Sequence, residues 1–335
     1  MKSLLIITLS VVCILFLVYL AGPTFPKPKL NNKLPNIRLQ TSEFESYIKS
    51  KEAGLKIKPD NQSKLVWAND SLKNKTEYCL LYLHGFSACW YEGSPININF
   101  ARRYGMNIYA PLLASNGIDT TESLLDMTPD RLYESAKEAL VAAHCLGEKV
   151  IIMATSTGAT LGLKMATEFP DLIDGFIFFS PNVALKDPTA RMTSKPWGLQ
   201  IARFFMKGKY RVRNSDFGSE DCHYFNCKYR LEAIVYLQQL LDATMKKETF
   251  AKVDKPLFMG YYYKDEENQD QTVSVAALLK MYEQLGTPEN LKQKVAFPEA
   301  GDHVIGCQLF SKQWQDVEKA TYQFAEEKLG LMAIK

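Results

Sequence analysis

Short, unbroken apolar runs alternate along most of this chain with longer stretches whose apolar positions recur at helical spacing. The clearest run is Val150, Ile151, Ile152 and Met153, which has no polar interruption. That pattern predicts a parallel strand buried on both faces, because a strand with one wet face would alternate. Comparable runs predict strands at residues 64–68, 78–83, 106–110, 176–179, 256–263 and 294–297. A helix is predicted after Thr128, which suits the N-cap, with Pro129 at the first helical position and Asp130 at the positive end of the helix dipole. Leu132, Ala136, Leu140 and Ala143 then repeat at core-facing spacing, and Gly147 ends the pattern. Helical patterns also follow Ser156, cover residues 273–285, and close the chain at Trp314, Val317, Thr321 and Phe324, with Ser311 as the cap. Strands alternating with helices predict an α/β fold, a mostly parallel sheet with helices on both faces.

The alternation breaks in two places. Residues 183–253 interrupt it and read as an inserted, mainly helical cap between two parts of one core, 36–182 and 254–335. At the amino terminus, residues 4–20 are almost continuously apolar after Lys2, a length that reads as a single membrane span. The exit, Tyr19, Leu20, Ala21 and Gly22, matches a small-x-small cleavage site poorly, so a retained anchor over residues 1–22 is expected, with export after signal cleavage as the alternative. Pro23, Pro26 and Pro28 make 23–35 a stiff linker. Lys2 lies on one side of the apolar segment and Lys27, Lys29 and Lys33 on the other, which leaves the orientation open.

At 335 residues and a net charge of +3, the chain can hold one large domain with an insertion or two average domains, and its totals give no argument for a nucleic-acid partner. Among the cysteines, Cys13 lies in the apolar segment, Cys79 and Cys145 fall on predicted core faces, and Cys222 and Cys227 either bridge or stand free. With His223 the latter pair resembles part of a zinc set, but a second ligand pair is lacking and no metal is expected.

Chemistry enters with VIIMATSTGATLG, where Ser156 stands between a buried strand and a helix opened by Gly158. A serine on so sharp a turn is pushed out of the sheet, where it can act as a nucleophile. Small residues at 154, 158 and 162 let the helix approach the strand closely. A serine needs a base, and the base needs a third group to orient it. Of the four histidines, His144 lies within a helix, His223 in the insertion, and His84 beside Gly85 where a backbone role is expected. His303 follows the last strand across a flexible loop and is the candidate base. Asp270 is the favoured acid, with Asp265 and Asp187 as alternatives. The backbone N–H groups of Thr157 and Phe86 are the expected oxyanion donors.

Taken in order, LYLHGF, ATSTG, DQTVS and GDHV resemble the α/β-hydrolases, closest in layout to esterases and monoacylglycerol lipases with a helical lid. The resemblance runs from about Tyr78 to the last helix and implies a lid at 183–253 and a triad in the order Ser, Asp, His. It departs from the family at Ala154, which replaces the first glycine of the elbow, and in the extra residues between Tyr263 and Asp270.

The expected function is hydrolysis of a carboxylic ester of a hydrophobic or lipid-like acyl substrate through an acyl-enzyme, without metal or organic cofactor. A catalytically silent binding protein of the same fold, or a hydrolase of amide, thioester or carbon–carbon bonds, uses the same residues and stays open. Eight basic side chains between Lys186 and Arg213, interleaved with Trp197, Phe204, Phe205 and Met206, read either as a solvated face or as a lid lying on an anionic membrane.

Overall fold

The computed structural model describes residues 2–213 and 215–334. In chain order, α1 (Lys2–Leu20) and α2 (Phe44–Glu52) precede β1 (Lys64–Val66), β2 (Thr76–Leu83), α3 (Ile96–Arg103), β3 (Asn107–Ala110), α4 (Pro129–Ala143), β4 (Gly147–Thr155), α5 (Thr157–Glu168) and β5 (Gly175–Phe179). The stretch between β5 and the next sheet strand holds α6 (Gly198–Phe205), β6 (Tyr210–Val212), α7 (Glu220–Tyr224), β7 (Lys228–Arg230), α8 (Glu232–Thr244) and α9 (Lys247–Phe250). The sheet then resumes with β8 (Leu257–Tyr261), α10 (Val275–Glu283), β9 (Lys292–Ala296) and α11 (Trp314–Glu327).

Seven strands form one sheet in the order β1-β3-β2-β4-β5-β8-β9, parallel except for β1. Its central strands are unbroken apolar runs because both faces are covered. Cys79, Leu81 and Leu83 of β2 join Ile152, Phe176 and Met259 in the core beneath α4 and α5, while Leu80 and Tyr82 join Ile151, Phe179 and Phe258 beneath α3 and α11. The chain leaves β2 for β3 on one side and returns to β4 on the other. That reversal opens a crevice at the carboxyl ends of β2 and β4, the place where such sheets bind ligands. Residues 183–253 insert between β5 and β8 as helices plus the two-stranded ribbon β6–β7.

Several boundaries differ from expectation. The helix after Thr128 ends at Ala143, with His144 as its C-cap, and Gly147 opens β4 rather than closing the helix. Gln313, not Ser311, caps α11, while the Ser311 hydroxyl accepts the Gln313 N–H. The proline-rich segment is docked: Asp130 accepts the N–H groups of Lys29 and Leu30, and the buried Lys137 ammonium donates to the carbonyls of Asn31 and Lys33.

The expected membrane anchor is corrected. Among the described residues no helix is long and apolar enough to cross a membrane. The apolar stretch from Leu4 to Leu20 rises only about 25 Å as a helix, against roughly 30 Å of bilayer hydrocarbon. Its end is also held by the insertion, for the Trp197 indole donates to the Val18 carbonyl at 3.0 Å and packs over Gly22.

The elbow depends on one close approach. A Cβ on Gly158 would lie 2.0 Å from the Leu83 carbonyl oxygen, so α5 can cross the end of β2 only with glycine there. Gly158→Ala is therefore expected to lower stability by about 3 kcal/mol or more, since neither strand nor helix can retreat. Urea denaturation beside the wild type checks this; an unchanged midpoint would contradict the close approach.

Candidate active site

Ser156 stands between β4 and α5 with φ +54° and ψ −116°, a conformation that ordinary side chains rarely adopt. It is held by its N–H to the Phe179 carbonyl and by its carbonyl to the N–H groups of Ala159 and Asn182. The strained turn thus rests on β5 as well as on α5. Thr157, at the first position of α5, has an N–H without an intrahelical acceptor. The N–H of Phe86 likewise donates to no protein group among the described residues.

Asp270 and His303 meet. The buried Asp270 carboxylate lies 2.6 Å from His303 Nδ1 and also accepts the N–H groups of Thr272 and Val273. Burial on its own disfavours both charges, yet each stabilises the other, so Asp270 titrates below an ordinary aspartate and His303 above an ordinary histidine. The Ser180 hydroxyl donates to the His303 carbonyl and Asn182 binds Ser156, so one short segment after β5 is tied to both residues. Among the described residues, His303 Nε2 is buried with no protein partner, as are Thr157 Oγ1 and Asn182 Oδ1. Asp265 is turned elsewhere: its carboxylate closes a surface turn through Glu267 and Asn268. Asp187 caps the turn at Pro188 by accepting from Thr189.

The other histidines have structural partners. His84 is buried, with Nδ1 bonded to the Gly85 carbonyl and Nε2 accepting the Leu113 N–H, and burial pulls its pKa down to about 4. That neutral ring fixes the loop leading to Phe86. His144 bonds the Leu172 carbonyl, and His223 lies 3.0 Å from Asp60.

The insertion touches the site through a closed loop. Cys222 and Cys227 form a disulfide, so their sulfurs are not available as thiolate ligands, although Asp221 lies beside them. Within that loop the Asn226 N–H donates to the Ser87 carbonyl, Phe225 packs with Ala88 and Val304, and Tyr224 stacks on Tyr91 at 3.8 Å. From β7, Tyr229 meets the Phe86 ring edge-on at 5.1 Å.

One site residue escaped the sequence reading. Glu92, in the helical turn Trp90–Gly93, is 2% exposed and accepts the Gly85 N–H. Its sign in the sequence is that it is the lone charged residue between Tyr78 and Ala101. Burial raises its pKa to about 7, against the pull of the Gly85 N–H and of His303.

No family model matches this chain. Methylesterase 2 of Arabidopsis thaliana is 29% identical over a 137-residue alignment that takes in 37% of this chain and 50% of that protein; the chain thus spans about half the length of that relative. Among solved structures, one reported for the metagenome-derived lipolytic enzymes LipS and LipT superposes with a TM-score of 0.62 at 14% identity, covering 80% of this chain and 98% of its own. The monoacylglycerol lipase of Paleococcus ferrophilus gives 0.55 at 12% identity, covering 78% and 96%. Est1E of Butyrivibrio proteoclasticus bound to ferulic acid gives 0.54 at 14%, covering 80% and 95%. The parallel sheet, the strand–serine–helix turn and these likenesses give the chain the α/β-hydrolase fold.

Glu92 should also leave a signature in stability. Unfolded, it releases its proton near 4.5; folded, it holds it to about 7. The native state therefore binds more protons over that interval, and stability falls as pH rises through it, by roughly 3 kcal/mol in all. Glu92→Gln removes this slope. Urea denaturation should find the variant gaining on the wild type between pH 5 and pH 8; parallel curves would contradict the buried-acid assignment.

Proposed function

We propose that the protein is a serine hydrolase that cleaves carboxylic esters, with Ser156 as nucleophile, His303 as base and Asp270 as the group that orients the imidazole. The observations that carry this reading are the buried Asp270–His303 pair, 2.6 Å across, whose Nε2 has no protein partner among the described residues, and a serine held at positive φ at the strand–helix turn. A carboxylate on Nδ1 fixes the tautomer that presents Nε2 as an acceptor, and it stabilises the imidazolium that forms when Ser156 gives up its proton. The serine oxygen then attacks the substrate carbonyl. The N–H groups of Phe86 and Thr157 serve as donors to the developing oxyanion, collapse expels the alcohol protonated by His303, and a water activated by the same ring releases the acid.

In this reading the insertion at 183–253 is a lid. The aromatic surroundings supplied by Phe86 and Tyr229 favour a hydrophobic acyl substrate, and the lipolytic and esterase names of the structural neighbours agree with that choice. No metal or organic cofactor is required by the scheme.

A fluorophosphonate probe is expected to label the wild type at Ser156, and Ser156→Ala is expected to abolish labelling and lower p-nitrophenyl ester turnover by at least about 1,000-fold. Labelling elsewhere, or turnover that survives the substitution, would overturn the assignment. A protein that is labelled but turns over only amides or thioesters would keep the triad and lose the ester reading.

A further inference from the structure

Three groups converge on Gly85. Its N–H is bonded to the Glu92 carboxylate, and the position a Cβ would occupy is 2.8 Å from Glu92 Oε1 and 3.1 Å from Ser156 Cβ. The carboxylate, the oxyanion loop and the serine therefore pack against one another with no room for a methyl group. The Gly85–Phe86 peptide carries the N–H assigned above to the oxyanion, and its carbonyl side is bonded by His84 Nδ1. Glu92 thus grips the residue whose rotation would turn the Phe86 donor away. Both residues are buried.

We propose that Glu92 is a positioning residue of the reaction, resting on the serine-esterase reading above: its buried side chain accepts the N–H of the His84–Gly85 peptide and so fixes Gly85, the residue about which the Phe86 N–H would turn away from the oxyanion. Glu92 touches neither substrate nor the reacting atoms; it acts through Gly85. Glu92→Gln keeps an acceptor for the Gly85 N–H, whereas Glu92→Ala removes it.

The test is p-nitrophenyl ester hydrolysis by the full chain, resolved into kcat and KM, with fluorophosphonate labelling and far-UV circular dichroism on each variant. Glu92→Gln is expected to keep kcat within about tenfold of the wild type. Glu92→Ala is expected to lower kcat by on the order of 100-fold with little change in KM, as a misdirected donor weakens the transition state and not the ground state. A kcat for Glu92→Ala equal to that of Glu92→Gln overturns the positioning role; should Glu92→Ala fail to fold, Glu92→Asp, which shortens the reach to Gly85 while keeping the charge, takes its place with the same criterion. A wild type that neither labels nor hydrolyses esters would instead refute the esterase reading itself, before any Glu92 variant is compared.

Discussion

The site exists because α5 passes within contact distance of the end of β2. At Gly158 the helix backbone comes so near the Leu83 carbonyl that no side chain fits, and that proximity forces the chain at Ser156 into its left-handed turn. Everything around the serine is referred to this crossing. β2 supplies the His84–Phe86 loop directly beside it, and β5 supplies the Phe179 carbonyl that ties the turn down. A sheet of continuous apolar strands buried on both faces gives the crossing a rigid base, so local strain at one residue is borne by the whole layer.

Two carboxyl groups lie buried near this turn, and their environments drive them apart. Asp270 accepts two backbone N–H groups and a histidine, which keeps it ionised despite complete burial. Glu92 has a single backbone donor and a more distant imidazole, so burial prevails and it titrates near neutrality. Two acids of nearly equal strength in water are thereby made unequal by the number of donors each one meets.

The architecture was legible because buried parallel strands and capped helices leave continuous or periodic apolar signatures. Val150 to Met153, Phe176 to Phe179 and the Thr128–Pro129 start all lie in the elements they suggest. Element ends were less legible, since Gly147 suits both the stop of a helix and the first residue of a strand. Of the candidate acids, Asp265 stands nearer the end of β8 in the sequence than Asp270 does, and only the turn closed by Asn268 carries Asp265 to the surface. Glu92 went unread because its significance lies in a backbone N–H seven residues earlier, and a backbone donor leaves no mark in a sequence. The apolar amino-terminal stretch misled for a simpler reason: composition suggested a bilayer, but as a helix the stretch is too short, and it ends against Trp197.

The disulfide-closed loop at Cys222–Cys227 reaches two walls of the same chamber, Ser87 and Ala88 on one side and Val304 on the other. A segment tied to both walls is not on a free hinge: any movement wide enough to lift it would also release the residues that flank Phe86 and His303.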